Sequence, residues 1–229
     1  MEVTPGGMAV VTFTLLDALF TRLIDKGLLD QADQVAIFNE ARVSLTSSQD
    51  AAAFDQAMRA RYDEFDVVAN VRLEAAAAAR ALDRVGPSVL VTSSAGGLRA
   101  LLTATQSANV KAIVAYENPG YLFPEGEAAD QADTPFGPLH VPRADFLKLT
   151  RVPMQFVWGD NLDKSPLWQS RLEQCRAFVA LINASGGQAE IVVLPEKGLH
   201  GNTHMPFVDM NNEVVAELLA QFLAANHLD

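Results

Sequence analysis

The sequence has few residues of the kinds that build disulfide or metal frameworks, and few positive charges. Its 229 residues include one cysteine, Cys175, and four histidines. A single cysteine excludes an internal disulfide and any metal site built from clustered cysteines, and so few ligating side chains predict no structural zinc. The 17 Lys and Arg stand against 28 Asp and Glu, for a net charge of −11. We therefore expect neither nucleic acid nor an anionic membrane surface as a partner.

Long apolar runs are also scarce. The stretch Met1–Phe20 contains an apolar run, but no basic residue comes before that run and no cleavage site is clear. Asp17 also interrupts the run. This pattern is typical of neither a signal peptide nor a transmembrane helix, so we expect a cytoplasmic protein. Hydrophobic residues make up 49% of the chain and charged residues 20%, which is a globular composition. The length fits roughly one to two domains and one sizeable core. Because no linker divides the sequence, we expect a single domain over residues 1–229.

The first 85 residues favour helices. Apolar side chains recur at helical spacing from Leu15 to Ala32, and residues 47–85 continue the pattern up to Gly86–Pro87, which ends it. Between these helices, Gln34–Phe38 is a short apolar run that suits a buried strand. We therefore expect a divergent, mostly helical N-terminal part over residues 1–85.

Strands and helices alternate in the remainder of the chain. Residues 121–150, rich in Pro, Gly and acidic side chains, predict a cap or loop insertion. The predicted strands are Ser88–Thr92, Val110–Tyr116, Pro153–Trp158 and Ala189–Leu194, and the predicted helices are Gly97–Gln106, Pro166–Ala184 and Asn212–Ala225. Apolar strands separated by helices predict an α/β fold with a mostly parallel sheet covered by helices on both faces.

One strand-to-helix junction carries a catalytic pattern. The sequence from Val89 runs VLVTSSAGG, an apolar strand followed by small residues and a helix. A nucleophilic serine on such a tight turn needs small residues two positions away, and Thr92 and Gly96 flank Ser94 in this way. The Ala95 N–H would then point at an anion forming beside the hydroxyl. The alternative is a glycine-rich turn that binds phosphate or nothing.

A serine nucleophile needs a base, and the base needs a carboxylate. Two histidines, His200 and His204, lie in the loop after the last predicted strand, at the sheet edge where the serine turn lies. Candidate carboxylates also follow strands. Glu117 comes directly after Val110–Tyr116, and Asp160 follows Trp158 with Asp163 nearby. The order along the chain leaves both carboxylates open.

These motifs together resemble the α/β-hydrolases, from about Gly86 to the C-terminus. More narrowly, the chain is similar to bacterial esterases related to the secreted Alcaligenes-type esterase. Those enzymes carry a Thr-His-Ser-Gln elbow, a glutamate in a Glu-Pro-Gly-like turn, and a Leu-Pro-Glu…Gly-Asn-(Ser/Thr)-His segment. The matching stretches here are TSSAGG from Thr92, ENPG from Glu117, and LPE from Leu194 with GNTH from Gly201.

The resemblance implies a Ser-Glu-His triad made of Ser94, Glu117 and His204, with Asp160 as the alternative acid. Oxyanion donors would be the N–H of Ala95 and that of Gly7, in a PGGM stretch that resembles the family's glycine-rich loop. Ser93 and Ala95 stand where the family has histidine and glutamine.

The resulting prediction is a serine esterase that hydrolyses small-molecule carboxylic esters without metal or cofactor. Tyr121 and Phe123 of the cap are the predicted substrate contacts. A sheet with few N-terminal strands leaves an edge to cover, which makes a homodimer one expectation. The alternative function is a non-catalytic, hydrolase-like binding or scaffolding protein, because the N-terminal part diverges from the family.

Overall fold

The computed structural model describes residues 67–126 and 133–228. The strand predicted at Gln34–Phe38 and the helix predicted at Leu15–Ala32 lie outside this range. The helices are α1 Val68–Val85, α2 Gly96–Gln106, α3 Arg143–Phe146, α4 Pro166–Ala184 and α5 Asn212–Ala225. The strands are β1 Ser88–Ser93, β2 Val110–Tyr116, β3 Leu122–Pro124, β4 Leu139–Val141, β5 Met154–Trp158 and β6 Ala189–Val193.

Four of these strands form one parallel sheet in the order β1-β2-β5-β6. Helices or longer segments connect them, as parallel pairing requires. The central strand β2 is buried at every position except Lys111, which fits a sheet covered on both faces. The predicted α/β class with a mostly parallel sheet is confirmed.

Strand side chains alternate between two hydrophobic clusters. On one face, Ile113 and Phe156 pack with side chains of α1, α2 and α4, among them Val71, Leu98 and Phe178. This face holds the larger cluster, and every one of these side chains is fully buried. The three helices therefore hold the sheet rigid from this side.

Helix α5 covers the opposite face. Val114 and Val192 of the sheet pack there with Val215 and Phe222 of the helix. Among residues 67–126 and 133–228, no helix is both long and apolar enough to cross a membrane.

The segment predicted as a cap contains more regular structure than a loop. Strands β3 and β4 pair in parallel in a separate small sheet, and α3 follows directly. Leu122, Leu139 and Phe146 of this segment are almost fully buried within the larger cluster. The described part of this insertion thus packs into the core.

Candidate active site

The carboxyl ends of β1, β2 and β5, and the loop after β6, meet at one edge of the sheet. Ser93 pairs with Tyr116 across β1 and β2, so Ser94 and Glu117 occupy equivalent positions just beyond neighbouring strands. The N–H of Ser94 donates to Tyr116 O (2.9 Å), and the N–H of Glu117 donates to Val157 O of β5 (2.8 Å). Neighbouring strands lie about 5 Å apart, which keeps this edge compact.

Ser94 lies in a strained turn between β1 and α2. Its φ is +51°, a left-handed conformation that non-glycine residues rarely adopt and that concentrates at functional sites. The turn is closed by Gly97 N–H donating to Ser94 O (3.0 Å). A Cβ on Gly96 would lie 3.4 Å from Thr92 Cβ, at the limit of ordinary contact. A strained turn with small neighbours is the geometry that a nucleophilic serine at this position would need.

The groups exposed by this turn have no partner within the described residues. Ser94 and Ala95 are both half-buried and therefore accessible. Within residues 67–126 and 133–228, the Ser94 hydroxyl forms no hydrogen bond and the Ala95 N–H donates to no acceptor. Ala95 directly precedes α2, where the helix dipole favours negative charge. Within the described residues, the turn thus presents an unbonded hydroxyl next to an unbonded N–H.

Glu117 occupies a second strained position and is fully engaged. Its φ is +46°, and only 3% of the residue is exposed. Gly159 N–H donates to Oε1 (2.8 Å), and Oε2 lies 2.8 Å from Nδ1 of His204. An ionised carboxylate only accepts hydrogen bonds, so Nδ1 carries the proton and Nε2 is left as the accepting nitrogen. This carboxylate therefore selects one tautomer and one orientation of the imidazole.

His204 itself is enclosed but reachable, with 20% of its side chain exposed. The indole of Trp168 lies against its ring, with centroids 4.7 Å apart and planes inclined by 48°. In the described residues, Nε2 forms no hydrogen bond, either to Ser94 or to another group. Catalytic hydrogen bonds in unliganded enzymes are often long and shorten when substrate binds.

A carboxylate on the same loop fixes the backbone just before His204. Asp209 accepts from Thr203 N–H (2.7 Å), from Thr203 Oγ1 (2.9 Å) and from Asn202 Nδ2 (3.2 Å). Asn202 and Asn211 also exchange side-chain amide hydrogen bonds at 2.6 and 3.0 Å. The position of the histidine therefore depends on a network of four polar side chains, those of Asn202, Thr203, Asp209 and Asn211.

The alternative acid lies elsewhere. Asp160 Oδ2 accepts from Gly201 N–H (2.8 Å) and lies 3.5 Å from Nδ1 of His200. The hydrogen bonds from the N–H groups of Gly201 and Asn161 hold the pKa of Asp160 below its ordinary value. His200 is 69% exposed. The structure therefore brings Glu117 together with His204 and pairs Asp160 with the other histidine.

The predicted substrate contacts are placed in the core instead. Tyr121 is fully buried and Phe123 is 7% exposed, and both rings pack against Phe178. The Tyr121 hydroxyl donates to Asn118 O (3.0 Å), and burial raises the pKa of Tyr121 well above its usual value. We therefore assign these two aromatics to packing. Gly7, the predicted second oxyanion donor, lies outside the described residues.

Sequence reasoning missed three contributors to the site: Gly159, Trp168 and Asp209. A Cβ on Gly159 would lie 2.7 Å from Glu117 Oε1 and 2.7 Å from Thr203 O. No pattern near Trp168 or Asp209 indicated contact with the histidine loop, because that contact depends on packing between distant segments.

Comparison with known proteins finds a likeness to a solved structure. No family model matches the sequence, and no curated protein matches it. The structure is similar to that of a bacterial esterase, with a TM-score of 0.53 and 29% sequence identity. The match covers 66% of this chain and 42% of the esterase chain, so it spans less than half of the esterase's length. The chain has an esterase-like α/β fold.

Proposed function

We propose that the protein is a serine hydrolase that cleaves small-molecule carboxylic esters through an acyl-enzyme on Ser94. The observation that carries the proposal is the hydrogen bond between buried Glu117 and His204 (2.8 Å), at the sheet edge where the strained Ser94 turn lies. A base oriented by a carboxylate, at the same sheet edge as an accessible hydroxyl, supports the arrangement that nucleophilic catalysis requires.

In the acylation step, Ser94 Oγ attacks the ester carbonyl carbon while its proton passes to Nε2 of His204. The imidazole becomes a cation, which Glu117 stabilises through Nδ1–H. The tetrahedral intermediate collapses as the bond from carbon to alcohol oxygen breaks, and His204 returns the proton to the leaving alcohol. Water then repeats the sequence on the acyl-enzyme with His204 as base, which releases the acid and regenerates Ser94.

The developing oxyanion needs donors aimed at it. The Ala95 N–H is the donor that the described residues offer, since it precedes α2 and has no acceptor there. Gly7 remains the proposed source of a second donor. Loss of one such donor typically lowers turnover by about a hundredfold to a thousandfold.

The decisive experiment measures hydrolysis of short p-nitrophenyl esters by the wild type, Ser94→Ala and Ser93→Ala. The adjacent serine is the matched control, because it has the same chemistry one residue away on β1. We expect Ser94→Ala to abolish turnover and labelling by a fluorophosphonate, and Ser93→Ala to retain both. Equal rates for the wild type and Ser94→Ala would exclude Ser94 as the nucleophile.

The acid is tested by a second pair of variants. Glu117→Gln keeps the size of the side chain but removes its charge, so we expect turnover to fall by orders of magnitude. Asp160→Asn changes the carboxylate paired with His200 and should leave most of the turnover in place. Loss of activity in Asp160→Asn alone would move the role of acid to Asp160.

A non-catalytic binding or scaffolding function is the second candidate. The observation in its favour is that Ser94 Oγ and His204 form no hydrogen bond in the described residues. A fluorophosphonate probe separates the two functions directly, because it labels only an activated serine. Folded protein that resists labelling across the neutral pH range would favour the binding function.

A further inference from the structure

Two tryptophan rings lie near His204: Trp168 contacts the imidazole, and Trp158 contacts Trp168. Trp168, near the start of α4, lies 4.7 Å from the imidazole between ring centroids. Trp158, at the end of β5, meets Trp168 edge to face at 6.3 Å and is fully buried. The row of rings therefore connects the histidine loop to the sheet.

The position of Trp168 is fixed at its backbone as well as its ring. Ser165 caps α4 by accepting from Trp168 N–H (3.5 Å), and Pro166 occupies the first helical position, where proline suits a helix. The indole is half-buried and has Trp158 behind it. The Trp168 indole therefore contacts the imidazole from one side, and this contact limits rotation of the imidazole away from Glu117.

The face of an indole also attracts cations. Indole faces bind positive groups within about 6 Å of the ring centroid, and the attraction grows when the pair is shielded from water. The imidazole of His204 gains its positive charge during acylation, so this contact is stronger in the transition state than in the resting enzyme. An interaction of that kind raises the turnover number without tightening substrate binding.

We propose that Trp168 is a positioning residue for His204, which holds the ring against Glu117 and stabilises the imidazolium. This inference rests on the proposed esterase function. It assigns to α4 a direct part in organising the base.

Two substitutions at Trp168 distinguish an effect of the aromatic face from an effect of side-chain volume. Trp168→Phe keeps an aromatic face, and Trp168→Leu keeps an apolar side chain without one. We expect kcat for p-nitrophenyl ester hydrolysis to fall by about tenfold in the leucine variant. The phenylalanine variant should stay within threefold of the wild type, and KM should stay within twofold in both. Equal losses in the two variants, or no loss in the leucine variant, would overturn the proposal.

A spectroscopic readout tests the contact without any substrate. Trp158 and Trp168 are the two tryptophans of the chain, and a protonated imidazole against an indole quenches its fluorescence. We expect protonation of His204 by added acid to lower the emission, and this fall to disappear in Trp168→Phe and in His204→Gln. His200→Gln is the matched control, because His200 is exposed and pairs with Asp160.

The two readouts make the failures distinguishable. Among the residues that the structure describes, Glu117 after β2 and Trp168 on α4 face the imidazole from neighbouring elements. Asp209, on the same loop as His204, is bonded to Thr203. Glu117→Gln identifies any part of the fluorescence change that comes from the carboxylate. A fall that persists in His204→Gln overturns the inference about Trp168. A wild type that hydrolyses no ester but shows the His204-dependent fall overturns the proposed function and leaves the ring contact established.

Discussion

Gly159 offers the sharpest test of the site, because a single methyl group there would crowd both Glu117 and the loop that carries His204. The Cβ of an alanine would lie 2.7 Å from Glu117 Oε1, 2.7 Å from Thr203 O and 3.2 Å from Asn202 O. Ordinary contacts begin near 3.4 Å, so Glu117 or the histidine loop must move by several tenths of an ångström. Gly159 has no positive φ, so Gly159→Ala introduces this crowding without backbone strain.

Neither neighbour can yield freely. Glu117 is buried and bonded through both oxygens, and Thr203 is held by Asp209 at its N–H and its hydroxyl. Overpacking of this kind costs about 1–3 kcal/mol, which corresponds to about 2–12 °C in Tm at this chain length. A misplacement of about 1 Å at a catalytic group can cost about a hundredfold in rate. We therefore expect kcat to fall by about that factor.

The assay compares kcat and Tm for Gly159→Ala with those for Gly187→Ala. Gly187 precedes β6, at the opposite end of the sheet, and its added Cβ would lie 2.7 Å from Ile182 Cγ2 and 2.9 Å from Thr150 Cα. This control therefore suffers similar crowding away from the site and should lose stability while keeping kcat. If Gly159→Ala retains at least half of the wild-type kcat, or if both variants lose kcat alike, the reasoning about the site is refuted.

Three further predictions follow from other contacts. In Gly97→Ala the added Cβ would lie 2.5 Å from Cγ of fully buried Asn118. We therefore expect the Tm to fall by several degrees. Combining Gly97→Ala with Asn118→Ala should restore part of that loss. Asp209→Ala removes three hydrogen bonds from the histidine loop, each worth about 1 kcal/mol, and should lower kcat at least tenfold while leaving a folded protein by circular dichroism. Burial raises the pKa of Cys175 from 9.0 to about 12, so the thiol favours folding below pH 9 and this stability is lost as the pH rises towards 12, by about 1.4 kcal/mol per pH unit. Urea titrations of the wild type between pH 8 and 10 should show that decline, and Cys175→Ala should reduce its slope; an unchanged slope would contradict the assignment.

The strands and helices from residue 88 onward were largely predictable, because each has a local pattern of apolar, Gly and Pro residues. Predicted and observed bounds agree within one residue for the four strands of the main sheet and for α2, α4 and α5. The small differences have physical causes. Strand β5 begins at Met154 because Pro153 has no N–H to donate to a neighbouring strand. Strand β6 ends at Val193 because the chain turns at Pro195.

The small sheet of β3 and β4 was not predictable in this way. Each strand is three residues long, too short for an alternating pattern to be recognised. Leu122 pairs with Leu139, seventeen positions later, so the pairing depends on contacts that no local window contains. For the same reason, Tyr121 and Phe123 were predicted as pocket residues. An aromatic side chain in a segment rich in Pro and Gly gives no local sign that Phe178 of a distant helix will bury it.

The candidate site shows the same division between local and non-local information. The turn around Ser94 could be predicted because its small neighbours are adjacent in sequence. Residue types alone left two histidines and two carboxylates open, and the structure forms two pairs from them. The Asp160–His200 pair is open to water, where an ion pair at 3.5 Å contributes little and the exposed imidazole is free to rotate. The Glu117–His204 pair is shorter, its carboxylate is buried, and Gly159 and Trp168 enclose it. A carboxylate that is shielded from water and hydrogen-bonded through both oxygens can hold the base in one tautomer. The distinction between the two pairs therefore arises from burial, which the order of residues along the chain does not encode.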